Sequence, residues 1–545
     1  MKDQKKQHLL VLMIRFKAIK SRLYFINMET FLEKLLRYYN LSNDDYNELL
    51  KEPNLEKLGS PFKFLNIQET SDYIKKSIDE NKKILIYGDY DCDGIMSTSI
   101  IFNTLKQYKN FKCGYYIPNR ELDGYGLTKA NIDRFHSLGY QLIICVDNGI
   151  GLVDEIDYLN SIGMECIVMD HHTPSKVLPN AKFILHPTVS KFSEINMSAG
   201  EVTYYFSRVF LGFNDEYLLT LAMISTLSDM MELKKQNREL VRLGLVALNK
   251  NKYENILLLL KDKTNITEGS LSMYAIPKIN AIGRIALDNS LFNIVRFFTT
   301  DTKDEYLNRI NWIESINLKR KELINEAYLN ANIKNEGYSV VALLDIKEGL
   351  CGLLANKYLE EYKKPTVIFV KSKEDGILKG SIRSKYGFNV IKAFDSLSDL
   401  LITSGGHSFA GGLSIKESSL EEFKKRFEEL AKEYTFKEEK KNSISINLNE
   451  INLQNYEILM NFAPFGYANE KPLFEIDSFN TNMFTYSKDH KHIITNIGIN
   501  SSLIYFNFPN DVVLNKNVKL FGKFELNTFM NKKTVQFIVN SFEKN

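Results

Sequence analysis

Three apolar, strand-like runs of this chain each end in acidic side chains or histidines, and stretches of helical length lie between the runs. The runs cover residues 84–87, 142–146 and 165–169, while 97–108 and 127–138 have helical length. This alternation predicts an α/β fold with a parallel sheet that is covered by helices. Because such sheets bind ligands beyond the carboxyl ends of their strands, the side chains that follow the runs should meet at one rim.

Five carboxylates and two histidines follow the three runs: Asp89, Asp91, Asp93, Asp147, Asp170, His171 and His172. In an extended backbone, the spacing of two between the first three acids would direct them to one side. Other interpretations exist for single motifs, because Asp-Asn-Gly (147–149) is a turn signal and Asp93-Gly94 could open a helix with a cap. A histidine after a strand is also often a surface or core residue.

The number of acids at one rim favours a metal site over these separate interpretations. Five clustered carboxylates would repel one another unless a cation lay among them. Carboxylates suit Mg²⁺, and the imidazoles shift the preference towards Mn²⁺ or another first-row metal. There are enough acids for two ions, and paired ions about 3.5 to 4 Å apart serve phosphoryl transfer. The sequence therefore predicts phosphoester hydrolysis.

The motifs GDYDCDG (88–94), VDNGIG (146–151) and MDHH (169–172) resemble those of the DHH phosphoesterase superfamily. The segments 117–127, 227–233, 237–245 and 277–284 resemble the RecJ branch, and GSIRS (380–384) and GGHSFAGG (405–412) resemble the DHHA1 domain. The resemblance covers roughly residues 30 to 545. It implies a single-strand-specific DNA exonuclease that runs 5′ to 3′ and releases 5′ mononucleotides with Mn²⁺ or Mg²⁺. It also implies a single-strand-binding protein or a helicase as partner.

Carried over by motif, the resemblance assigns the metals to six residues: Asp89, Asp91, Asp93, Asp147, His171 and Asp229. Asp170 would orient a histidine, and His172 would face the scissile phosphate. Asp229 is unusual by itself, because it follows an apolar helical run in which an acid is costly without a partner. The alternative is an acid exposed at a helix end.

A second group of predicted residues would bind the substrate phosphate or the terminal nucleotide. On the catalytic domain these are Arg120, Asn280 and Arg284, with Arg284 counted among the catalytic residues. On the DHHA1 domain they are Ser381, Arg383, Gly405, Gly406 and His407. Glycines let backbone N–H groups approach an anion closely, and Arg383 offers a fork that matches phosphate. A simple hairpin turn is the alternative for the glycine-rich segment.

The predicted domain order follows from changes in pattern along the chain. It comprises an N-terminal helical segment (1–70, with 1–27 as a candidate extension), the parallel-sheet DHH domain (71–300), a long connecting helix (301–335), a smaller α/β DHHA1 domain (336–436) and an OB-like β-barrel (437–545). The barrel follows a charged linker at 437–443. Its candidate contacts to single strands are Lys519, Lys523, Phe524, Phe529, Lys532 and Lys533, and a barrel core is the alternative for about half of the aromatic residues.

Composition adds limits. The net charge of +3 does not by itself indicate a polyanion ligand, so basic residues must act locally if nucleic acid is the substrate. The five cysteines show no CxxC spacing and indicate reduced thiols in a cytoplasmic protein. The apolar run at 9–14 is too short to span a membrane, so no membrane association is expected.

Three functions are consistent with these observations. The first is the exonuclease. The second is a DHH hydrolase of short oligonucleotides, dinucleotides or nucleotide phosphates, for which the long helix and the extra barrel would be unnecessary. The third is a non-catalytic replication or repair scaffold, against which the complete set of acids argues.

Overall fold

The structure is a computed structural model. It describes residues 29–120, 122–124, 126–192, 196–286, 289–331, 333, 336–385, 387–433, 442–508, 516–529 and 532–544. The described residues form two compact units. One takes its residues from 1–52, 440–463 and 470–545, and the other from 53–439 and 464–469. The candidate extension (1–27), the apolar run at 9–14 and most of the predicted linker lie outside the described residues.

The helices are α1 Phe31–Tyr39, α2 Asn43–Leu50, α3 Ile67–Asp79, α4 Cys92–Gln107, α5 Lys129–Ser137, α6 Val153–Ser161, α7 Ala199–Leu211, α8 Glu216–Ser228, α9 Lys235–Asn251, α10 Glu254–Leu258, α11 Glu268–Ser270, α12 Ile276–Ile285, α13 Phe292–Thr299, α14 Lys303–Asn330, α15 Cys351–Tyr362, α16 Val390–Ser396, α17 Leu420–Lys432 and α18 Leu453–Met460. A π-helical turn, Leu271–Ala275, joins α11 to α12. The 3₁₀ turns are Leu55–Leu58, Pro61–Lys63, Asn289–Leu291, Glu348–Leu350, Glu417–Ser419, Leu448–Glu450 and Thr481–Met483.

The strands are β1 Ile84–Tyr87, β2 Gly114–Tyr116, β3 Leu142–Val146, β4 Glu165–Met169, β5 Phe183–Leu185, β6 Val340–Leu343, β7 Thr366–Lys371, β8 Ile377–Arg383, β9 Leu401–His407, β10 Ala410–Lys416, β11 Ser443–Ser445, β12 Leu473–Asn480, β13 Ile493–Gly498, β14 Ser501–Tyr505, β15 Asn517–Phe529 and β16 Lys532–Lys544.

The predicted parallel α/β sheet is confirmed. Its order is β2-β1-β3-β4-β5, and every neighbouring pair is parallel. Side chains alternate between two cores: Ile86 and Ile144 pack with the apolar faces of α4, α7 and α8, whereas Tyr87 and Cys145 pack with those of α5 and α6. Burial on both faces explains why β1, β3 and β4 appear in the sequence as continuous apolar runs.

The predicted connecting helix and the smaller α/β domain are also present. Helix α14 has 28 residues, which corresponds to about 42 Å. The second sheet has the order β6-β7-β8-β10-β9, in which only β6 and β7 pair in parallel. The glycine-rich segment forms the β9–β10 hairpin, which is the alternative considered for it.

The other unit contains a six-stranded mixed sheet of order β11-β12-β15-β16-β14-β13. Helix α1 belongs to this unit, and its Phe31 ring stacks on Phe474 and Phe524 with centroids 5.7 and 5.8 Å away. The N-terminal helices α1 and α2 thus group with the C-terminal sheet, while the predicted boundary at residue 70 falls inside α3. This long-range grouping has no local signature in the sequence.

Two of the candidate strand-binding residues of this unit must be reinterpreted. The prediction that Phe524 stacks on bases is wrong, because its side chain is buried between Phe31 and Phe474. Lys519 forms ion pairs with Asp477 and Glu475, at 2.8 and 3.4 Å, so its charge is largely compensated. Lys523 is half-buried and Lys532 and Lys533 are exposed, while the side chain of Phe529 lies outside the described part of the structure.

No helix in the described part of the chain is long and apolar enough to cross a membrane. All five cysteines are free thiols.

Candidate metal centre and its two cavities

The acidic motif after β1 does not continue as a strand. Helix α4 begins at Cys92, and Asp91 is its N-cap, whose Oδ1 accepts a hydrogen bond from the Gly94 N–H at 3.1 Å. The expectation of three carboxylates on one side of an extended backbone is therefore wrong, because capping competes with strand geometry at this position. The turn instead divides the acids between two groups of possible ligands. Asp89 and Asp91 lie with Asp147, whereas Asp93 lies with His171 and Asp229.

Asp93 is fixed by the first turn of α7. Its two carboxylate oxygens accept hydrogen bonds from the backbone N–H groups of Ala199 and Gly200, both at 2.9 Å, and from the Ser225 hydroxyl. A helix N-terminus stabilises negative charge, so this contact holds the carboxylate in place.

Asp147 follows β3 in a left-handed conformation with φ 61°. Its N–H donates to the carbonyl of Met169 at 3.1 Å. The side-chain amide of Asn148 donates to the carbonyls of Val146 and Gly88, at 2.8 and 3.2 Å. The turn signal and the functional interpretation of Asp-Asn-Gly are therefore compatible, since the turn is what presents the acid.

His171 lies at the centre of the cluster. Its Nε2 is 3.2 Å from Asp147 Oδ1, 3.5 Å from Asp93 Oδ2 and 3.6 Å from Asp229 Oδ2. Asp229 reaches it from the end of α8 as the C-cap residue of that helix. Burial lowers the pKa of His171, which favours the neutral imidazole that a metal requires.

Asp170 holds His172. Its Oδ1 lies 2.8 Å from His172 Nδ1 and accepts hydrogen bonds from the backbone N–H groups of both histidines, while Oδ2 accepts one from Ile150. Burial opposes ionisation of Asp170, but the hydrogen bond with His172 and its charge hold the pKa of this carboxyl well below its usual range. Partial burial disfavours the His172 cation, yet the bond to Asp170 raises its pKa to about 9.

The pKa values of Asp89, Asp147 and Asp229 are shifted in the opposite direction. Burial and neighbouring charges raise the pKa values of Asp89 and Asp147 well above the usual range. Burial, followed by the charges of Asp93 and Asp91, raises the pKa of Asp229 to about 8. The Oδ1 atom of Asp89 is buried and accepts no hydrogen bond from the described residues. A divalent cation would neutralise the repulsion between these carboxylates and would give the buried Asp89 oxygen a partner. The residues of the cluster therefore fit a metal.

A cavity of about 510 Å³ opens beside this cluster. Asp89, Asp91 and His172 line one part of it, and the other lining residues include six basic and polar side chains: Arg120, Asn280, Arg284, Lys379, Ser381 and Arg383. The sequence-predicted phosphate-binding residues Arg120, Asn280, Arg284, Ser381 and Arg383 therefore come together. Burial lowers the pKa of Arg284 to about 10, with Arg120 and Arg383 adding like-charge repulsion. Such a crowded set of cations is suited to an anion.

Individual contacts fix this wall. Arg284 Nη1 donates to the Gly349 carbonyl at 3.3 Å, and Arg383 Nη1 donates to the Ile382 carbonyl at 2.7 Å. The side-chain carbonyl of Asn280 accepts from the N–H of Cys92 at 2.8 Å, which ties it to the acidic turn.

Gly405, Gly406 and His407 do not line this cavity. A second cavity of about 610 Å³ contains His407 with Asp229. Its other lining residues are Asn196, Met230, Met231, Glu232, Ser408, Phe409, Ala410 and Tyr467.

Sequence reasoning missed Lys379, Glu348 and His186. Lys379 precedes Ser381 and Arg383 at strand spacing on β8, and this alternation could have identified it. Glu348 forms an ion pair with Lys379 at 3.2 Å in the same cavity. The ring of His186 contacts the His172 carbonyl at 2.8 Å, and no local signal indicates this.

A parallel sheet that carries a carboxylate and histidine cluster at its rim, beside an arginine-lined cavity, is the arrangement of a metal-dependent phosphodiesterase. Three family models match: the DHH family, N-terminal domain (residues 83–231), the DHHA1 domain (335–433) and the RecJ OB domain (443–541). In its order of three domains the chain resembles the RecJ-type branch of the DHH family.

Curated relatives agree. The chain is 27% identical over 504 residues to the single-stranded-DNA-specific exonuclease RecJ of Bacillus subtilis, covering 88% of this chain and 63% of that protein. It is 27% identical over 523 residues to the Escherichia coli protein of the same name, covering 87% and 90%. The chain thus spans less than two thirds of the length of the Bacillus relative.

Among solved structures, RecJ of Thermus thermophilus in complex with Mn²⁺ is similar in fold, with a TM-score of 0.75 and 22% identity over 88% of this chain and 72% of that one. A structure of exonuclease RecJ bound to manganese has a TM-score of 0.57 and 25% identity, covering 68% of this chain and 96% of the other.

Proposed function

We propose that this chain is a metal-dependent exonuclease that hydrolyses single-stranded DNA from the 5′ end and releases 5′ mononucleotides in DNA repair or recombination. One observation carries the proposal: Arg120, Arg284 and Arg383 line the same cavity as Asp89 and Asp91. A terminal phosphate bound by the arginines would place the next phosphodiester against the acids. The names of the curated relatives support the substrate, and the family resemblance supports the polarity.

We propose two divalent ions, Mn²⁺ or Mg²⁺. Two groups of possible ligands that share no residue support this number: Asp89, Asp91 and Asp147 in one, and Asp93, His171 and Asp229 in the other. When bound, divalent ions neutralise charge on the scissile phosphate and lower the pKa of water. A titration of the protein with Mn²⁺ by calorimetry should give a stoichiometry of two, and Asp229→Asn should reduce it to one. A stoichiometry of one in the unaltered protein would contradict the proposal.

The chain itself supplies binding and orientation. The arginine forks match phosphate oxygens bidentately. Asp170 holds the His172 ring through Nδ1, which leaves Nε2 to donate to a phosphate oxygen. His172 and Arg284 are proposed as catalytic residues in this sense, with Asp170 positioning His172.

The test is digestion of single-stranded DNA that carries a label at either end, with Mn²⁺ present. Mononucleotides should be released from the 5′ end, and Asp147→Asn should lose at least 100-fold in rate. Replacement of Arg383 by Ala should weaken the preference for a 5′-phosphorylated substrate, because the phosphate would lose a bidentate partner. Release from the 3′ end would contradict the polarity.

One observation favours the second candidate, a hydrolase of short oligonucleotides or nucleotide phosphates. The cavity of about 510 Å³ is small and could be filled by a short substrate. Cleavage of a dinucleotide without digestion of long DNA would support this candidate, and cleavage of neither would support the scaffold. We further propose a cytoplasmic location. The prediction of a single-strand-binding protein or a helicase as partner rests on the resemblance.

A further inference from the structure

The second cavity beside the metal centre differs in chemistry from the first. Asp229 lines it at the metal cluster, while four cationic side chains line only the first cavity. The described lining of the second cavity contains Asp229 and Glu232 but no lysine or arginine. A phosphate would therefore find no lysine or arginine partner among these residues, whereas an uncharged, apolar group would meet apolar side chains.

Three large apolar side chains of this cavity are open to solvent. Phe409 and Tyr467 are each 52% exposed, and Met230 is 67% exposed. Exposed apolar side chains that gather around one cavity indicate a binding surface rather than a chance arrangement. Aromatic rings are the surfaces on which single-stranded nucleic acids stack their bases, with little dependence on sequence.

The backbone holds these side chains in position. Met230, directly after the candidate ligand Asp229, has a left-handed φ of 51°, a conformation that is uncommon for a residue with a Cβ. The Tyr467 carbonyl accepts a hydrogen bond from the Leu233 N–H at 2.9 Å, and the Phe409 carbonyl accepts one from Ser384 at 2.8 Å. The left-handed backbone of Met230 is strained, and backbone strain of this kind is found at functional sites, where the surrounding structure maintains it.

The segment that carries Tyr467 is anchored to the larger unit (53–439 and 464–469), which contains the metal centre and is called the catalytic unit below. Residues 464–469 group with this unit although they lie within the C-terminal part of the sequence. The Phe465 N–H donates to the Glu268 carboxylate at 2.8 Å. A Cβ on Gly466 would lie 2.7 Å from Leu233 Cδ1, so the segment packs closely against the residues that follow α8.

We propose that Phe409 and Tyr467 form a base-stacking subsite for single-stranded DNA, in which the nucleobases next to the cleaved nucleotide bind while their phosphates stay outside. Met230 completes the apolar wall. The inference rests on the proposed function for its substrate class, but it concerns binding and can be tested without cleavage.

The first test measures binding in EDTA, with a single-stranded oligonucleotide that carries a fluorescent label at its 3′ end and is followed by anisotropy. Each of Phe409→Ala and Tyr467→Ala should raise Kd roughly tenfold, as expected for the loss of one stacked base. Phe409→Tyr and Tyr467→Phe should restore binding, which a general folding defect would not allow. Phe213→Ala is the matched control, because Phe213 is also 52% exposed in the same unit but does not line the cavity.

The second test moves a single abasic site along the oligonucleotide from its 5′ end. The unaltered protein should bind the oligonucleotide several-fold more weakly when the abasic site lies at one or two positions near that end. The double variant F409A/Y467A should lose this dependence on position. Equal Kd values for the alanine variants and the control would overturn the subsite and leave the proposed nuclease untouched. Absence of strand binding by the unaltered protein would also overturn it, whereas the cleavage assay alone decides the proposed function.

Discussion

Glu201 shows how strongly a single residue can depart from its behaviour in water. Its side chain is fully buried in α7, and neither carboxylate oxygen accepts a hydrogen bond from the described residues. Burial, and then the charge of Asp93, raises its pKa to about 8. The folded protein therefore holds this acid neutral at pH 7, while the unfolded chain would ionise it.

The consequence is a pH-dependent contribution to stability that Glu201→Gln should remove, which reduces the pH dependence of the whole protein. Because the folded-state pKa is raised, the stabilising contribution is complete below the unfolded pKa and is lost as the pH rises to about 8. Between pH 6 and pH 8 this group alone should lower the free energy of unfolding by about 2 to 3 kcal/mol. Urea unfolding at both pH values should show a smaller difference for Glu201→Gln.

The matched control is Glu69→Gln, since Glu69 is an exposed carboxyl on α3. It should leave the pH dependence as it is in the unaltered protein. Equal pH dependence for Glu201→Gln and the unaltered protein would show that Glu201 is not held neutral.

At the scale of elements, helix α12 connects the arginine wall to the acidic turn. It carries Asn280 and Arg284, and its Gly283 lies against the turn, since a Cβ there would be 2.0 Å from the carbonyl oxygen of Tyr90. A methyl group has no room between the helix and the turn, so adding one would displace residues that line the cavity.

Gly283→Ala should damage both stability and activity. Helix propensity alone would favour alanine by about 1 kcal/mol, but overpacking against a backbone atom costs typically 1 to 3 kcal/mol. A displacement of about 1 Å at a reacting group can reduce a rate by about 100-fold. Thermal unfolding and the rate of DNA digestion measure the two effects.

Gly151→Ala is the control for this prediction. Gly151 follows the turn that carries Asp147, and a Cβ there would have no heavy atom of another residue within 4 Å. Its stability and activity should be close to those of the unaltered protein. If both alanine variants behave alike, the close contact of α12 with the turn contributes neither to stability nor to activity.

At the scale of the whole molecule, the two units have separate cores. The core of the smaller unit includes the stacked rings of Phe31, Phe474 and Phe524, so a helix near the start of the chain completes a sheet formed near its end. The catalytic unit has its own cores around the parallel sheet and the second sheet.

Phe31→Ala should therefore affect one unit selectively. Truncation of a buried phenylalanine costs about 3 to 5 kcal/mol. Calorimetry should show a lower transition temperature for the smaller unit and an unchanged transition for the catalytic unit. Phe62→Ala, at a position that is 63% exposed in the catalytic unit, should alter neither transition. A shift of both transitions after Phe31→Ala would mean that the units unfold together.

Much of the fold and of the candidate site could be predicted from the sequence, because the decisive signals are local. Continuous apolar runs define the strands Ile84–Tyr87, Leu142–Val146 and Glu165–Met169, with the bounds that the structure has. The topology of a parallel sheet then places their following residues at one rim. Asp89, Asp147 and His171 therefore come together as expected.

Only the tertiary structure decided how these residues are used. The start of α4 divides the acids of one motif between two ligand groups. Long-range packing places Phe524 in a core and the Glu201 carboxylate where no described residue donates a hydrogen bond to it. The same packing places His407 and Arg383 in different cavities, although both lie in motifs of the DHHA1 domain. Periodicity reports which face of an element is apolar, whereas burial, cavity walls and pKa shifts depend on residues that are distant in sequence. The chain therefore encodes its strands and the chemistry of its rim locally, and the walls of its two cavities only through folding.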